Sequence, residues 1–220
     1  MNELSNRMQS GFVSNGIKYH LYSINELDSI SGAWSILDDN ERRNARKFVV
    51  VEDQNRFILF KYIVRVILSE HLRVLPEEVK FSFNRNGKPR LVPQPLEFNI
   101  SHTGETIIVV TSEGSPIGVD IEYNKDLRYA GNRFSSFFND NEIAYIHKDK
   151  DLKTKRFYDL WTAKEAYLKM IGTGMLKNPL SVNIMWNNGR PFACESEGCE
   201  SSKLIYIDFP DIVVCISYPG

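Results

Sequence analysis

Two carboxylates stand two residues apart in the segment PIGVDIEY, residues 116–123. Val119 and Ile121 alternate with Asp120 and Glu122, a pattern typical of a β-strand, in which residues i and i+2 point to the same side. The two acids would then direct their oxygens to one point, where like charges are costly unless a cation lies between them. A solvated strand face would explain the pair alone, whereas a phosphate-binding partner would make the pair a candidate Mg²⁺ site.

A predicted helix in the second half of the chain, FYDLWTAKEAYLKM, carries three further charged candidates. Its apolar residues recur at helical spacing, and Lys164 falls among them, between Leu160 and Leu168. A buried ammonium is costly unless it meets an anion, although a lysine can also extend its charge to water at the edge of such a face. Glu165 and Lys169, four residues apart, are either a routine surface pair or part of a site.

The segment FNISHTGE predicts a strand with a polar face formed by Asn99, Ser101 and Thr103. Ser101 and His102 are adjacent, so their side chains point apart, and the segment lacks an acid partner for a Ser-His-Asp system. Ser101 is therefore not predicted to be a nucleophile. A histidine at the end of a strand, such as His102, can instead bind phosphate.

Basic residues cluster in two places that could also bind phosphate. One cluster lies on a predicted short helix, DDNERRNARKFVV, and the other surrounds a GKP turn. The members of the two clusters are Arg42, Arg43, Arg46 and Lys47, and Arg85, Lys88 and Arg90. A solvated surface is the alternative for both clusters, and the glycine spacing of NRNGKPR excludes a P-loop.

The bulk properties of the chain exclude several classes of protein. It has 220 residues with a net charge of −1, so its charge does not indicate binding to nucleic acid or to a membrane surface. The sequence shows neither a signal peptide nor a membrane-spanning apolar run, which predicts a cytoplasmic protein without a membrane partner. Its three cysteines are too irregularly spaced for a disulfide framework or a structural zinc site.

The order of helices and strands repeats along the chain. A long, basic-led helix pattern followed by strands occurs twice, as DQNRFILFKYIVRVIL and as KTKRFYDLWTAKEAYL. This repetition predicts an α+β fold with two similar lobes, residues 1–110 and 111–220, and a ligand site in the cleft between them. For two fused lobes, a monomer is the simplest expectation.

Four segments, taken in this order, resemble those of the 4′-phosphopantetheinyl transferases: GKPRL, FNISHTGE, PIGVDIE and FYDLWTAKEAYLKMIGTG. The resemblance is to the larger, surfactin-synthetase-activating type and extends from about Leu37 to Met175. The combination of GVDIE with WTAKEAYLK makes it specific. It implies two pseudo-symmetric lobes, each a small antiparallel sheet packed against helices, with the active site in the cleft between them.

The resemblance also implies an activity. Such an enzyme binds coenzyme A and Mg²⁺, with Mn²⁺ also acceptable because both ions take oxygen ligands. It moves the 4′-phosphopantetheine arm of coenzyme A onto a serine of an apo acyl or peptidyl carrier protein and releases adenosine 3′,5′-bisphosphate. Two alternatives stay open: a metal-dependent phosphohydrolase acting on a nucleotide pyrophosphate, and a non-catalytic relative that binds carrier proteins.

The roles that the resemblance implies fall on residues already singled out. The metal ligands would be Asp120, Glu122 and Glu165. Glu165 would take the proton from the carrier serine, directly or through water, and Lys169 would stabilise or protonate the departing phosphate. The implied coenzyme A contacts are Arg46, Lys88, Pro89, Ser101, His102, Lys164 and Lys169. The carrier protein would dock near Phe137 and Phe138, for which a place in the core is the alternative.

Overall fold

The structure, a computed structural model, describes residues 9–14, 16–24, 32–127 and 133–220. In this part of the chain, six α-helices and two larger antiparallel sheets form two lobes. None of the helices in these ranges is both long and apolar enough to cross a membrane.

The first lobe packs a four-stranded sheet against a long helix. Its helices are α1 (Ala33–Ile36), α2 (Asp39–Ala45) and α3 (Val51–Leu72). Its strands are β1 (Gln9–Ser14), β2 (Ile17–Ser23), β3 (Phe81–Phe83), β4 (Pro89–Leu91), β5 (Glu97–Thr103) and β6 (Thr106–Ser112). The sheet has the order β1-β2-β6-β5, and β3 and β4 form a separate hairpin. The apolar residues of α3 pack with those of β6 in the core of this lobe.

The second lobe packs a five-stranded sheet against the other long helix. Its strands are β7 (Gly118–Tyr123), β8 (Asn183–Asn187), β9 (Arg190–Glu195), β10 (Ser202–Asp208) and β11 (Ile212–Pro219). Its helices are α4 (Arg133–Phe137), α5 (Asp140–His147) and α6 (Lys153–Met170). The sheet has the order β7-β11-β10-β9-β8, and α6 packs on β7 and β11.

The two lobes share one plan, which accounts for the repeated pattern in the sequence. In each lobe, the last strand lies between two partners and pairs antiparallel with both. One partner is the nearest strand before the long helix, and the other is the strand immediately before the last strand. These sets are β2-β6-β5 and β7-β11-β10. The hairpin that follows the long helix stays separate in the first lobe as β3-β4 and extends the sheet in the second lobe as β8-β9.

A shared core joins the two sheets face to face. Ile108 and Val110 of β6 pack with Val119 of β7 and Ile216 of β11, and all four side chains are fully buried. The intervening residues of β6 face α3 instead. Because both faces of β6 are covered, its sequence TIIVVTS reads as a continuous apolar run, as expected for such a strand. The molecule is therefore layered as helix, sheet, sheet and helix.

The prediction of an α+β fold with two lobes, each an antiparallel sheet packed against helices, is confirmed. The first sheet ends at Ser112 and the second begins at Gly118. The division at residue 110 remains a prediction. Strands β1, β3, β4 and β9 lie in segments that the sequence analysis did not assign to strands.

Candidate active site at the junction of the lobes

The polar face of β5 lies against β7 and joins the two lobes by side-chain hydrogen bonds. Ser101 Oγ donates to Asp120 Oδ1 at 2.9 Å, and Thr103 Oγ1 donates to Glu122 Oε2 at 3.2 Å. The backbone N–H of Val119 donates to the side-chain oxygen of Asn99 at 2.9 Å. The predicted polar face of this strand is thus confirmed, and it positions both acids of β7.

Lys169 of α6 completes a compact cluster with two of these residues. Its Nζ donates to Asp120 Oδ1 at 2.7 Å and to Ser101 Oγ at 2.8 Å. Asp120 lies on the face of β7 opposite Val119 and Ile121, which are fully buried in the shared core. Packing of these apolar neighbours therefore holds the carboxylate in place, facing the helix that carries Lys169.

The carboxylates of Asp120, Glu122 and Glu165 lie close enough to one another for the charge of Asp120 to raise the pKa of both glutamates. Burial, with the negative charge of Asp120 as the next cause, raises the pKa of Glu165 to about 7. Burial and the charge of Asp120 likewise raise the pKa of Glu122. The second oxygen of Asp120 is buried and lacks a hydrogen-bond partner among the described residues. Negative charge at this point is therefore incompletely compensated.

The donor set suits a hard cation, although the ligands are not assembled in this structure. Within the described ranges, no three His, Cys, Asp or Glu side chains already stand in an arrangement that could hold a metal ion. Carboxylate oxygens are nevertheless what Mg²⁺ prefers, and the unpartnered oxygen of Asp120 would gain a partner from the ion. Asp120, Glu122 and Glu165 thus fit a Mg²⁺ ion chemically.

A cavity of about 410 Å³ opens beside the cluster, between α3, the β3-β4 hairpin and β5. Pro89 and His102 line it, as do two cations, Arg56 and Lys61. Its apolar wall includes four phenylalanines, Phe48, Phe57, Phe60 and Phe83. An aromatic and basic cavity of this kind suits a flat ring that carries phosphate.

His102 connects the cavity with the cluster. Its ring lies 4.9 Å from the ring of Phe60, measured between centroids. Burial, followed by the positive charges of Lys169 and Arg56, lowers the pKa of His102. Arg56 itself pairs with Glu105 at 2.9 Å and with Asp53 at 2.8 Å. The sequence analysis assigned no site role to Arg56 or Lys61, and the available signal was their spacing on α3 beside Phe57 and Phe60.

The ammonium of Lys88 points away from this cavity, and the expected contact of Lys88 with coenzyme A stays a prediction. Its Nζ donates to the carbonyl oxygens of Ile117 at 2.8 Å and Met170 at 3.2 Å, both in the second lobe. Burial lowers the pKa of Lys88 to about 8. Its neighbours Gly87 and Pro89 do line the cavity.

Lys164, for which a contact with coenzyme A was also expected, pairs inside the second lobe, and that contact stays a prediction. The side chain is fully buried, and its Nζ donates to Glu142 Oε2 at 2.7 Å and to the carbonyl oxygens of Phe137 and Pro179 at 3.0 and 3.1 Å. The lysine in the apolar stripe thus meets an anion, as its burial requires, but the anion is an internal carboxylate.

The predicted docking anchors and Arg46 lie elsewhere as well. Phe137 and Phe138 are 3% and 1% exposed, and Phe137 stacks on Trp161 with a centroid distance of 4.0 Å, so both belong to the core of the second lobe. This burial supports the alternative place in the core, and their role in carrier docking stays a prediction. Arg46 is exposed, and its guanidinium lies 5.4 Å from the ring centroid of Trp34.

Comparison with known protein families covers most of the chain in two parts. The family described as 4′-phosphopantetheinyl transferase, N-terminal, matches residues 26–114. The 4′-phosphopantetheinyl transferase superfamily matches residues 116–211. The break between the two matches falls where the chain passes from the first sheet to the second.

Several curated proteins are similar to this chain. The 4′-phosphopantetheinyl transferase Sfp of Bacillus subtilis is 34% identical over 143 residues, which are 64% of this chain and 62% of Sfp. HetI of Nostoc sp., which has the same enzyme name, is 34% identical over 146 residues, covering 64% and 62% of the two chains. A putative 4′-phosphopantetheinyl transferase of Synechocystis sp. is 30% identical over 150 residues, covering 66% and 61%. The similarity thus spans about three fifths of each relative's length.

Proposed function

Because the chain belongs to the 4′-phosphopantetheinyl transferase superfamily, we propose that it transfers the 4′-phosphopantetheine arm of coenzyme A to a serine of an apo carrier protein. The observation that carries the proposal is the cluster at the lobe junction, where Lys169 joins Asp120 and Ser101 beside Glu165 and an aromatic, basic cavity. The cluster can stabilise charge on phosphate, and the cavity can hold the nucleotide.

In this reaction the hydroxyl oxygen of the carrier serine attacks the phosphorus that carries the pantetheine arm. The bond from that phosphorus to the bridging oxygen breaks, and adenosine 3′,5′-bisphosphate leaves. The serine proton must be taken up, and Glu165 is the candidate base because its half-buried carboxylate stands at the edge of the cluster. The ammonium of Lys169 can donate a hydrogen bond or a proton to the departing phosphate.

The carboxylates of Asp120, Glu122 and Glu165 would hold Mg²⁺ in the working enzyme. Bound there, the ion would supply electrostatic stabilisation of negative charge on the phosphoryl oxygens. Ser101 orients Asp120 by donating to Oδ1, and Thr103 does the same for Glu122. These two hydroxyls act by positioning.

The cavity would take the nucleotide half of coenzyme A. Its phenylalanines can contact the adenine ring, while His102, Arg56 and Lys61 can contact its phosphates. The pyrophosphate would then extend past His102 towards Lys169. This path accounts for the separation between an apolar recognition region and a charged reaction centre.

The test is a mass measurement on an apo carrier protein incubated with the protein, coenzyme A and Mg²⁺. We expect the carrier mass to rise by one phosphopantetheine group and adenosine 3′,5′-bisphosphate to appear in equal amount. A carrier whose serine is replaced by alanine is the matched control and must stay unmodified.

Two results would overturn the proposal. Hydrolysis of coenzyme A without any change in carrier mass would indicate a phosphohydrolase. Binding of carrier protein without turnover, across a panel of acyl and peptidyl carriers, would indicate a non-catalytic relative.

A further inference from the structure

The turn between β3 and β4, residues 84–88, is held rigid by one side chain. The side-chain oxygen of Asn84 accepts from the backbone N–H groups of Asn86 at 2.9 Å and Lys88 at 2.8 Å. The backbone of Asn84 also donates to the carbonyl of Lys88 at 3.0 Å. Gly87 has a φ of +88°, which glycine adopts without strain. The turn is therefore preorganised before it meets the second lobe.

Three side chains of this turn donate hydrogen bonds to the second lobe where α6 ends. The side-chain amides of Asn84 and Asn86 both donate to the carbonyl oxygen of Gly172 at 2.9 Å. Lys88 donates to the carbonyls of Met170 and Ile117. The last carbonyls of a helix have no partner within the helix, and a cation beside them is favourable. The turn supplies both the donors and the cation.

Glycine at position 172 fits this contact. Its φ is +71°, and a Cβ there would lie only 2.8 Å from the side-chain nitrogen of Asn84. A larger residue would both strain the backbone and push the turn away from the helix. The approach of the two lobes at this point is thus as close as the chain permits.

The carbonyls that accept from Lys88 belong to residues close in the chain to Asp120 and Lys169. Met170 directly follows Lys169, and Ile117 begins the short run to Asp120. Gly118, which lies between Ile117 and Asp120 in the chain, packs so closely on α6 that a Cβ there would overlap the backbone of Ala166. Strand β7 and helix α6 are thereby locked to each other, and the turn fixes the locked pair against the first lobe.

The same turn also faces the cavity. Gly87 and Pro89 line it, while the ammonium of Lys88, between them, points the other way. A ligand in the cavity would contact the side of the turn that carries Gly87. The opposite side, which carries the ammonium of Lys88, is bonded to the segments that lead to Asp120 and Lys169. The position of the nucleotide would therefore be tied to the positions of Asp120 and Lys169.

We propose that residues 84–88 form an interlobe clasp that aligns the Asp120–Lys169 pair with the ligand cavity, and that Asn84 and Lys88 are positioning residues that do not touch coenzyme A. The kinetic part of this proposal rests on the proposed transferase function. Its structural part, the fixing of α6 and β7 by the turn, does not.

Two variants test the clasp. Lys88→Met keeps the length of the side chain and removes its donor. Asn84→Asp keeps the oxygen that holds the turn and replaces the amide that donates to Gly172 with a second oxygen that repels the carbonyl. For both we expect kcat to fall roughly ten- to hundredfold, as a small misalignment of reacting groups does. KM for coenzyme A should stay within about twofold, because no ground-state contact is lost. Lys80→Met, at an exposed site in the same lobe, should change neither constant.

Hydrogen exchange supplies a readout that needs no turnover. In both variants, amides of β7 and of the last turn of α6 should exchange roughly tenfold faster, the effect of losing one hydrogen bond of ordinary net strength. Amides in the middle of α3 and in the Lys80→Met control should keep their rates. If the wild-type protein modifies no carrier, the transferase proposal fails, and the exchange data still decide whether the clasp exists.

Three results would overturn the clasp. A rise in KM for coenzyme A with an unchanged kcat in Lys88→Met would make Lys88 a ligand of coenzyme A. Unchanged exchange in β7 and α6 would show that the turn does not hold them. Faster exchange with unchanged kcat in an active enzyme would show that the contact does not align the site.

Discussion

Lys164 and Lys169 lie five residues apart on α6, and their ammonium groups have different surroundings. Consecutive helix residues are about 100° apart, so these two side chains point about 140° away from each other. Lys164 reaches into the core and meets Glu142, whereas Lys169 reaches β5 and β7 and meets Ser101 and Asp120. The two lysines of one helix therefore belong to two different clusters, one inside the second lobe and one at the junction of the lobes.

The first prediction concerns the acids of the cluster. Asp120→Ala and Glu165→Ala should each abolish carrier modification while the protein remains folded. Removing Glu165 relieves repulsion between carboxylates, so its melting temperature should not fall below that of the wild type. Mass spectrometry of the carrier and thermal unfolding measure the two effects. Near-normal turnover of either variant in Mg²⁺ would refute the assignment of these acids to the reaction.

The second prediction concerns the buried pair of Lys164 and Glu142, whose side chains are 0% and 2% exposed. Lys164→Met should lower the free energy of unfolding by about 3–5 kcal/mol, since it leaves a buried carboxylate without its cation. Adding Glu142→Gln should recover part of this loss, because Gln is neutral and can still accept from the backbone N–H of Asn139. Denaturant unfolding measures both. If Lys164→Met changes KM for coenzyme A and leaves stability intact, the structural role is wrong.

At the scale of elements, periodicity predicted the long helices and the strands that carry the site. Those segments are long, and their apolar faces are buried against one partner layer. The β3-β4 hairpin has strands of three residues, too short for a period to show. The targets of Lys88 are backbone carbonyls, which carry no sequence signal. Glu142, the partner of Lys164, lies 22 residues away on another helix, so burial of the lysine was predictable but its partner was not.

The third prediction concerns how the contact of the turn with α6 depends on pH. Lys88 has a pKa of about 8 in the folded protein, against a reference value of 10.5. Between these values the unfolded chain binds more protons than the folded one, so the contribution of Lys88 to stability rises with pH. The difference in unfolding free energy between the wild type and Lys88→Met should therefore grow in favour of the wild type from pH 8 to 10.

Denaturant unfolding at several pH values measures this difference. Lys80→Met is the control, since Lys80 is exposed in the same lobe. Its difference from the wild type should stay flat over the same range. A flat difference for Lys88→Met as well would mean that the ammonium of Lys88 is not buried in the contact.

At the scale of the whole molecule, the two lobes are similar in plan and yet depend on each other. Strand β6 is buried by α3 on one face and by the second sheet on the other. The hydrogen-bonded cluster at the junction takes Ser101 from the first lobe and Asp120 and Lys169 from the second. A repeated plan was visible in the sequence, but face-to-face packing of the two sheets was not, because an apolar run does not reveal what covers it.

The last prediction follows from the shared core. Ile108 of β6 packs against the second sheet, and Val109 packs against α3, and both are fully buried. Ile108→Ala should lower the free energy of unfolding by about 2–5 kcal/mol, and Val109→Ala should also destabilise the protein because it opens a smaller cavity in the other core.

If the lobes unfold as one unit, the slowest-exchanging amides of β6 and of β11 should lose the same protection in both variants. Loss of protection confined to the first lobe in Val109→Ala would show instead that the lobes unfold separately. In that case the junction would open without global unfolding, and the alignment of Ser101 with Asp120 would depend on the interlobe contacts alone.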